Sequence, residues 1–494
     1  MSAVTRDIAD LTKDIPGLEI LQAGKYPITG LVLDSRKVTS GDLFFAIKGT
    51  VSDGHKFIQK AIDKGAVAIA VENVPDNIPG DIAILRTNNV PEIMAAIAKK
   101  FFDNPAKKLN LIGITGTNGK TTIARLLYNT WRQMGFKAGV ITTIDTRIGE
   151  RVIPSKLTTP DLLTLYTWLY EMVEQGTEYV AMEVSSHAIQ QGRVMGIPFT
   201  GAIFTNISHD HLDYHGDMKS YIDAKKGLFD QLPSAAFALV NIDDSRGKIM
   251  VQNTPASVST YALQREADFK GKVISMDLSG MELQFDSHRF MTRLTAQFNA
   301  YNLLACYGAC TLLGLDREEV LKAISAAPPA EGRFEIVHSK ERSIKGIVDY
   351  AHTPDALAKT LESIQKLKAK GKILTVFGCG GDRDKTKRPK MGQIAAMLSD
   401  SVILTSDNPR TESPAAILDE IAEGIPRELK KKVLRIEDRR EAIRTAWMLA
   451  EEGDVILLAG KGHERYQIIG EERIPFDDKE ILESLMNASD KIIE

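Results

Sequence analysis

Cysteine is nearly absent. Cys306, Cys310 and Cys379 are the only three in 494 residues, too few for a disulfide framework and without the spacing of a metal site. Aromatic residues are sparse, at 6%, and no apolar run approaches the roughly 18 residues of a membrane-crossing helix. Neither sign of charge dominates: 62 Lys and Arg stand against 65 Asp and Glu, a formal net charge of −3. A general nucleic-acid binder would carry a basic surplus. The opening residues, MSAVTRDIADLTKD, are charged from Arg6 onward and contain no apolar h-region, so no signal peptide is expected. These absences predict a cytoplasmic protein without nucleic-acid or membrane partners, and a monomer is expected. Apolar residues reach 43%, the balance of a chain that fills several cores.

Strand-like apolar runs alternate with helix-period segments through most of the chain, which predicts α/β architecture with mainly parallel sheets. A helical stretch ends in Asn-Pro and charge near FFDNPAKKLN (101–110), and a Pro/Ala/Gly stretch, SAAPPAEGRFE (325–335), follows another. These breaks predict three domains, 1–105, 106–330 and 331–494. The alternating run 272–294 reads as a β-meander on the flank of the middle one. LVLDSRKVTSGDLFFAIKG reads locally as strand, polar turn and strand, a hairpin with Gly41-Asp42 in the turn.

The strongest chemical signal is LNLIGITGTNGKTTIARLLYNTWRQMG (109–135). Leu109 to Thr115 is a short apolar run bounded by glycine, as a buried strand should be. Beyond Lys120, Ile123, Leu126, Leu127, Trp131 and Met134 form a helical stripe. Strand, Gly-rich turn, Lys-Thr and helix is the layout of a phosphate-binding loop. Its backbone N–H groups cradle phosphates, Lys120 reaches the terminal ones, and Thr121 ligates Mg²⁺. Position 114 is Ile where the common spacing has glycine, so the loop is the variant Gly116-Thr117-Asn118-Gly119-Lys120-Thr121-Thr122. A Gly-rich βα turn can also serve packing alone. Lys-Thr at the helix start favours nucleotide.

Two further strand ends carry polar chemistry. YVAMEV brings Glu183 to the C-terminal edge of a sheet, and GAIFTNI opens into SHDHLDYHG, with three histidines and two aspartates in seven residues. Open α/β sheets bind ligands at that edge, and a carboxylate there suits the Mg²⁺ of phosphoryl transfer. Zinc is the rival for a His/Asp cluster, but a phosphate loop favours a hard cation. In the last third, KILTVF ends in GCGGDRD, VILTS in DNPR and VILLAG in KGHE. Three such ends predict one shared binding edge, and Arg383, Arg410 and Glu464 suit an amino acid bearing charges of both signs.

Eleven segments, in order, resemble the Mur ligase family of ATP-dependent amide-forming enzymes. They are DSRKVTSGDLFFAIKG (34–49), TGTNGKTT (115–122), TTPD (158–161), EVSSHAIQQGRV (183–194), NISHDHLDYHG (206–216), AKKGLF (224–229), FNAYN (298–302), DYAHTPDAL (349–357), GCGGDRDKTKRP (378–389), SDNPR (406–410) and GKGHE (460–464). The resemblance implies three domains: a small N-terminal α/β domain holding a UDP-substrate, a central P-loop ATPase-like domain with mainly parallel sheet, and a C-terminal Rossmann-like α/β domain holding an amino acid. It further implies ATP and Mg²⁺ as cofactors, and UDP-N-acetylmuramoyl-L-alanyl-D-glutamate and meso-diaminopimelate as substrates.

Residue by residue, the resemblance makes Thr121, Glu183 and His211 magnesium ligands. It makes Lys225 a carbamylated lysine holding a second Mg²⁺, so that Lys120, Lys225 and His211 form the catalytic set. Leu33 and Ser35 become contacts of the uridine diphosphate. Thr158, Thr159, Ser185, Gln191 and Arg193 become contacts of the muramoyl-dipeptide, and Arg193 also suits a substrate bearing diphosphate and carboxylates. Asn299 and Asn302 fall on the adenine side, Arg333 and Asp349 at the ribose and phosphates. Arg383, Asp407, Asn408, Pro409, Arg410, Gly460 and Glu464 fall at the diaminopimelate. The chain departs from the family pattern at Ala296, where glycine is usual, and at Glu331, where proline is usual. Diaminopimelate exceeds lysine by a distal carboxylate, which the fork of Arg410 suits. The alternative is that Arg410 pairs with Glu412 or another acid. Folylpolyglutamate synthase, which shares architecture and reaction type, and a P-loop ATPase switch are the rival readings.

Overall fold

The computed structural model describes residues 4–49, 52–339, 342–368 and 370–487; the outermost residues of the first and last expected domains lie outside these. The N-terminal sheet has five strands, in the order Leu18–Gln22, Ala83–Thr87, Ala68–Val71, Asp42–Phe45 and Gly30–Val32. The first pair is antiparallel and the rest parallel. Here the hairpin expectation fails, because Gly30–Val32 and Asp42–Phe45 pair in parallel, Leu31 opposite Leu43. The linking residues carry the chain back to the starting end of the sheet. Asp42 accepts from the Thr39 amide at 2.7 Å, and Gly41, at φ +92°, leaves Thr29 and Gly65 as its backbone partners. Turn residues alone do not choose between returning alongside and crossing back.

The central sheet has eleven strands. Asn110–Thr115 lies between Tyr179–Glu183 and Gly201–Phe204, parallel to both. Parallel pairing continues outward through Phe237–Asn241 and Ser257–Ala262 on one side and to Ala138–Ile141 on the other. The expected meander is present as the antiparallel strands Phe269–Asp277, Gly280–Phe285 and His288–Thr292. Both faces of the middle strands are covered, which is why these sequences are continuously apolar rather than alternating. Val180 and Met182 enter one core and Ala181 the other, as the two-residue repeat of a strand requires. The first core also contains Ile93, Ile97 and Phe101 of the helix Val90–Phe101, so the N-terminal and central layers share apolar packing. The second contains Ile123, Leu126, Leu127 and Trp131 of the helix Lys120–Gln133.

The C-terminal sheet runs Glu335–His338, Lys345–Asp349, Val455–Ala459, Ile373–Phe377, Ser401–Leu404 and Val433–Arg435. Only its first strand is antiparallel to its neighbour. The three strands whose ends carry KGHE, GCGGDRD and DNPR are therefore adjacent and point the same way. A small hairpin, Tyr466–Ile469 with Glu472–Pro475, is joined to that edge at Asp407, Asn408 and Arg410. Among the described residues no helix is long and apolar enough to cross a membrane.

Candidate active site

The loop after Asn110–Thr115 is shaped by its glycines. Gly116 and Gly119 have φ of +144° and +91°. A Cβ on Gly116 would lie 1.8 Å from Thr205 Oγ1, and one on Gly119 would lie 2.6 Å from Asn302 Oδ1. No side chain fits at either point, whereas Ile114 sits fully buried in the strand. The glycine of the common spacing is dispensable because the chain turns only after Thr115. Amides of Thr117 and Asn118 donate to the carbonyl and side chain of Asn206 at 2.8 and 3.1 Å. Gly119 gives the helix Lys120–Gln133 no side-chain cap, so its first N–H groups remain available to anions. Lys120 Nζ donates to the carbonyls of Gly116 and Thr117 at 2.9 and 2.8 Å. Burial lowers its pKa.

Glu183, buried at the end of its strand, accepts from Thr121 Oγ1 at 2.8 Å and from the amide of Thr143 at 2.8 Å. Arg333, from the C-terminal layer, donates to the same Thr121 hydroxyl at 3.1 Å and covers the Tyr350 ring at 4.3 Å. Asn118 Nδ2 reaches Asp355 Oδ2 at 3.0 Å, a second contact between the two layers. A cavity of about 540 Å³ lies between them, lined by Thr117 to Thr122, Glu183, His211, Asn302, Arg333 and Asp349.

The histidine-rich segment divides. His211, at φ +54°, faces the cavity, and desolvation depresses its pKa to about 4. His215 is buried with Nε2 2.9 Å from Ser186 Oγ, a packing role. Lys225 is 1% exposed, donates to the Gly116 carbonyl at 2.9 Å and lies over the Tyr221 ring at 4.6 Å. Burial, then the charge of Lys120, holds its pKa well below the ordinary lysine value. Among the described residues no cluster of three or more His, Cys, Asp or Glu has metal-holding geometry. The hydroxyl of Thr121 against the carboxylate of Glu183 is an all-oxygen pair, and it fits a hard cation that takes its other ligands from phosphates and water.

Thr159, Ser185, Gln191 and Arg193 form one hydrogen-bonded group next to Glu183, with Thr158 beside it on Thr143. Thr159 Oγ1 donates to the Glu183 carbonyl at 2.8 Å and accepts from the Ser185 amide at 3.1 Å. Arg193 reaches the Thr159 carbonyl at 2.9 Å and Gln191 Oε1 at 2.5 Å, and Thr158 receives Thr143 Oγ1 at 3.3 Å. Leu33 and Ser35 follow the edge strand of the N-terminal sheet, Leu33 packed on the shared core and Ser35 buried. No hydrogen bond among the described residues joins these two to the group.

Two of the nucleotide-side residues sit differently from their expected partners. Asn302 lines the cavity, while Asn299 stands behind it, accepting from Asn302 Nδ2 at 3.0 Å and donating to the Thr295 carbonyl at 2.8 Å. Asp349 lines the cavity with both oxygens already accepting, from the Phe334 and Ala351 amides and Thr360 Oγ1. Burial raises its pKa. Ala296 has φ +74° and ψ 137° at the start of the helix Gln297–Leu312, which explains why glycine suits that position. Glu331 pairs with Arg465 at 2.6 Å, a contact that proline does not make.

At the C-terminal edge, Asn408 Nδ2 donates to Glu464 Oε2 at 2.8 Å, and Gly460, at φ +108°, has Asp407 Oδ2 where a Cβ would be. Desolvation and the neighbouring Asp407 raise the Glu464 pKa. Pro409 joins Asn408 to Arg410, whose Nη1 donates to the Gly381 carbonyl at 2.7 Å. Glu412 does not take Arg410; it is held by Arg388. Arg383 is exposed, and its side chain donates to the neighbouring Asp382 carbonyl at 3.2 Å. Sequence reasoning missed Lys461, fully buried 3.0 Å from Asn408 Oδ1 and 3.6 Å from Asp407. It missed Arg388 and Thr143 as well. Lys461 and Arg388 lie inside the segments GKGHE and GCGGDRDKTKRP, so position in a motif was the available signal.

Known proteins resemble this chain along nearly its whole length. Residues 27–112 match the Mur ligase family, catalytic domain; residues 114–310 the Mur ligase middle domain; residues 332–462 the Mur ligase, glutamate ligase domain. A UDP-N-acetylmuramoyl-L-alanyl-D-glutamate--2,6-diaminopimelate ligase of Bacteroides thetaiotaomicron is 48% identical over 97% of this chain and 99% of that protein. One from Geobacillus kaustophilus is 42% identical over 95% and 97%. A solved structure of such a ligase, 33% identical, covers 94% of this chain and 95% of its own with a TM-score of 0.68. Mycobacterium tuberculosis folylpolyglutamate synthase, at 19% identity, shares the fold over 75% of this chain and 92% of its own, with a TM-score of 0.60. Relatives this similar along nearly the whole length, on one architecture, establish that the chain belongs to the Mur ligase family.

Proposed function

We propose that the chain is an ATP-dependent, ADP-forming ligase of cytoplasmic peptidoglycan precursor synthesis. It joins meso-diaminopimelate to the D-glutamate side-chain carboxylate of UDP-N-acetylmuramoyl-L-alanyl-D-glutamate. The names of the full-length relatives support this reading. The observation that carries it is a cavity in which Arg333 of the C-terminal layer meets Thr121 of the phosphate loop. A nucleotide held there would touch both layers. In this reading residues 1–105 hold the uridine diphosphate through Leu33 and Ser35, 106–330 hold ATP and the muramoyl-dipeptide, and 331–494 hold diaminopimelate.

Lys120 and the loop amides stabilise the charge that spreads over the transferring phosphoryl group. Asn302, backed by Asn299, borders the adenine, and Arg333 and Asp349 border the ribose and phosphates. Thr121, Glu183, His211 and a carbamate on Lys225 would hold Mg²⁺, which when bound neutralises phosphoryl oxygens. Lys225 suits carbamylation because its buried amine has no carboxylate partner among the described residues and carries a lowered pKa. The substrate carboxylate attacks the γ-phosphorus, ADP leaves, and an acyl phosphate forms. The amine of diaminopimelate attacks the acyl carbon and phosphate leaves, completing the amide. Thr158, Thr159, Ser185, Gln191 and Arg193 orient the carboxylate. Arg383, Asp407 to Arg410, Gly460 and Glu464 orient the amine, with the Arg410 fork on the distal carboxylate.

The test is ADP release measured with ATP alone, with each cosubstrate and with both, across a panel of amino acids. Release that requires both the UDP-dipeptide and diaminopimelate supports the reading. Hydrolysis indifferent to both supports an ATPase switch instead, and a folate acceptor replacing the UDP-dipeptide supports the folylpolyglutamate rival.

A further inference from the structure

The C-terminal binding edge contains an acid, Glu412, that shares the Gly381–Asp382 segment with Arg410. Glu412 follows Arg410 by two positions in the same loop. Its carboxylate is nevertheless occupied. Arg388, fully buried on the helix Lys387–Leu398, grips it with two prongs, Nη1 to Oε2 at 2.9 Å and Nη2 to Oε1 at 3.0 Å. The same guanidinium donates to Glu420 Oε2 at 2.7 Å and to the Gly380 carbonyl at 3.0 Å. Lys385 lies 3.0 Å from Glu412, and the Asp382 amide donates to it at 2.6 Å. Two cations and two acids thus balance one another. Arg410, by contrast, has the neutral Gly381 carbonyl as its side-chain partner and no salt bridge among the described residues.

We infer that Arg388 is a positioning residue for amino-acid selection: by occupying Glu412, it keeps the Arg410 guanidinium open to the distal carboxylate of the incoming amino acid. The inference rests on the role proposed above for Arg410. A tethered carboxylate acts at an effective concentration of about millimolar or more, so a released Glu412 would compete with the substrate for the same fork. Removing Arg388 also leaves Lys385 alone against both Glu412 and Glu420, a surplus of one negative charge beside Arg410. Arg388 touches no substrate in this scheme and acts only through the acid it holds.

The experiment is steady-state kinetics of the full chain carrying Arg388→Met or Arg388→Lys, each with and without Glu412→Gln. The Arg388 variants are expected to raise KM for diaminopimelate about tenfold or more, with kcat and the KM of both other substrates within about twofold. Adding Glu412→Gln should restore most of that KM, and Glu412→Gln alone should stay near wild type. Arg388→Lys retains the buried cation with one prong lost, so it decides the matter if Arg388→Met fails to fold. An unchanged KM in the Arg388 variants overturns the inference. So does a rise that Glu412→Gln leaves in place, because that is the behaviour of a residue serving the fold alone. Failure of the wild type to use diaminopimelate refutes the proposed function instead, before any variant is compared.

Discussion

Arg410→Ala removes the group proposed to read the far end of the amino acid, and its effect can be worked from its surroundings. Among the described residues the side chain makes one hydrogen bond, to the Gly381 carbonyl. The backbone is held independently, its amide donating to Ile468 and its carbonyl accepting from Gly470 at 3.1 and 2.8 Å. Among the described residues no salt bridge is lost by truncation, so the folding cost should stay within the about 1.5–3 kcal/mol of a hydrogen bond with an ionised donor. A charge-assisted bond to the substrate carboxylate contributes about 1.5–3 kcal/mol, which at about 1.4 kcal/mol per tenfold is roughly 10- to 150-fold in kcat/KM. That loss should fall on diaminopimelate. Lysine lacks the carboxylate, so its already weak use should be unchanged or improved, and discrimination should collapse by the same factor. The assay is kcat/KM for both amino acids at saturating ATP and UDP-dipeptide, in wild type and variant. Equal losses for both amino acids would refute the reasoning, as would a wild type that accepts lysine as readily as diaminopimelate.

Lys225→Ala should abolish most activity, and bicarbonate should restore CO₂-depleted wild type but not the variant; full activity in Lys225→Ala eliminates the carbamate assignment. Ala296→Gly trades relief of about 1–3 kcal/mol of backbone strain against about 0.8 kcal/mol for a buried methyl group and about 0.5–1 kcal/mol of glycine entropy. Its Tm should therefore lie at or slightly above wild type, whereas Ala300→Gly, buried within the same helix, should lower Tm; equal lowering by both contradicts the strain argument. Burial depresses the His463 pKa to about 3 and that of His352 to about 4, below the unfolded value of about 6.5. Their neutral forms contribute stability that is complete above pH 6.5 and declines as pH falls toward those folded values. Tm against pH should fall less steeply across that window in His463→Gln than in wild type, and parallel curves would contradict this.

Much of the site was legible because catalytic groups stand where apolar strands stop. Ile114, Met182 and Phe204 are buried in adjacent parallel strands, so Gly116, Glu183 and the residues after Thr205 necessarily emerge at one edge. The same logic placed GCGGDRD, DNPR and KGHE side by side. What escaped the sequence depends on which way a side chain turns after the backbone is set. His211 and His215 are one helical turn apart, yet one faces the cavity and the other Ser186. Asn299 and Asn302 likewise divide into a lining residue and its support. Glu412 is close to Arg410 in sequence, which suggests it as a partner, but Arg388, 24 positions away on the helix Lys387–Leu398, reaches it from the core. The N-terminal strands paired in parallel because tertiary neighbours, Gly65 and Thr29, decided the crossing that a polar turn left open.

The central claim is that the D-glutamate carboxylate is activated as an acyl phosphate before the amine attacks. The most direct measurement uses UDP-N-acetylmuramoyl-L-alanyl-D-glutamate labelled with oxygen-18 in that side-chain carboxylate, with ATP, Mg²⁺ and diaminopimelate, and determines the isotopic content of the phosphate released. Attack by the carboxylate on phosphorus leaves one of its oxygens bound there, so each phosphate should carry one labelled oxygen. Unlabelled phosphate alongside amide product would contradict the account.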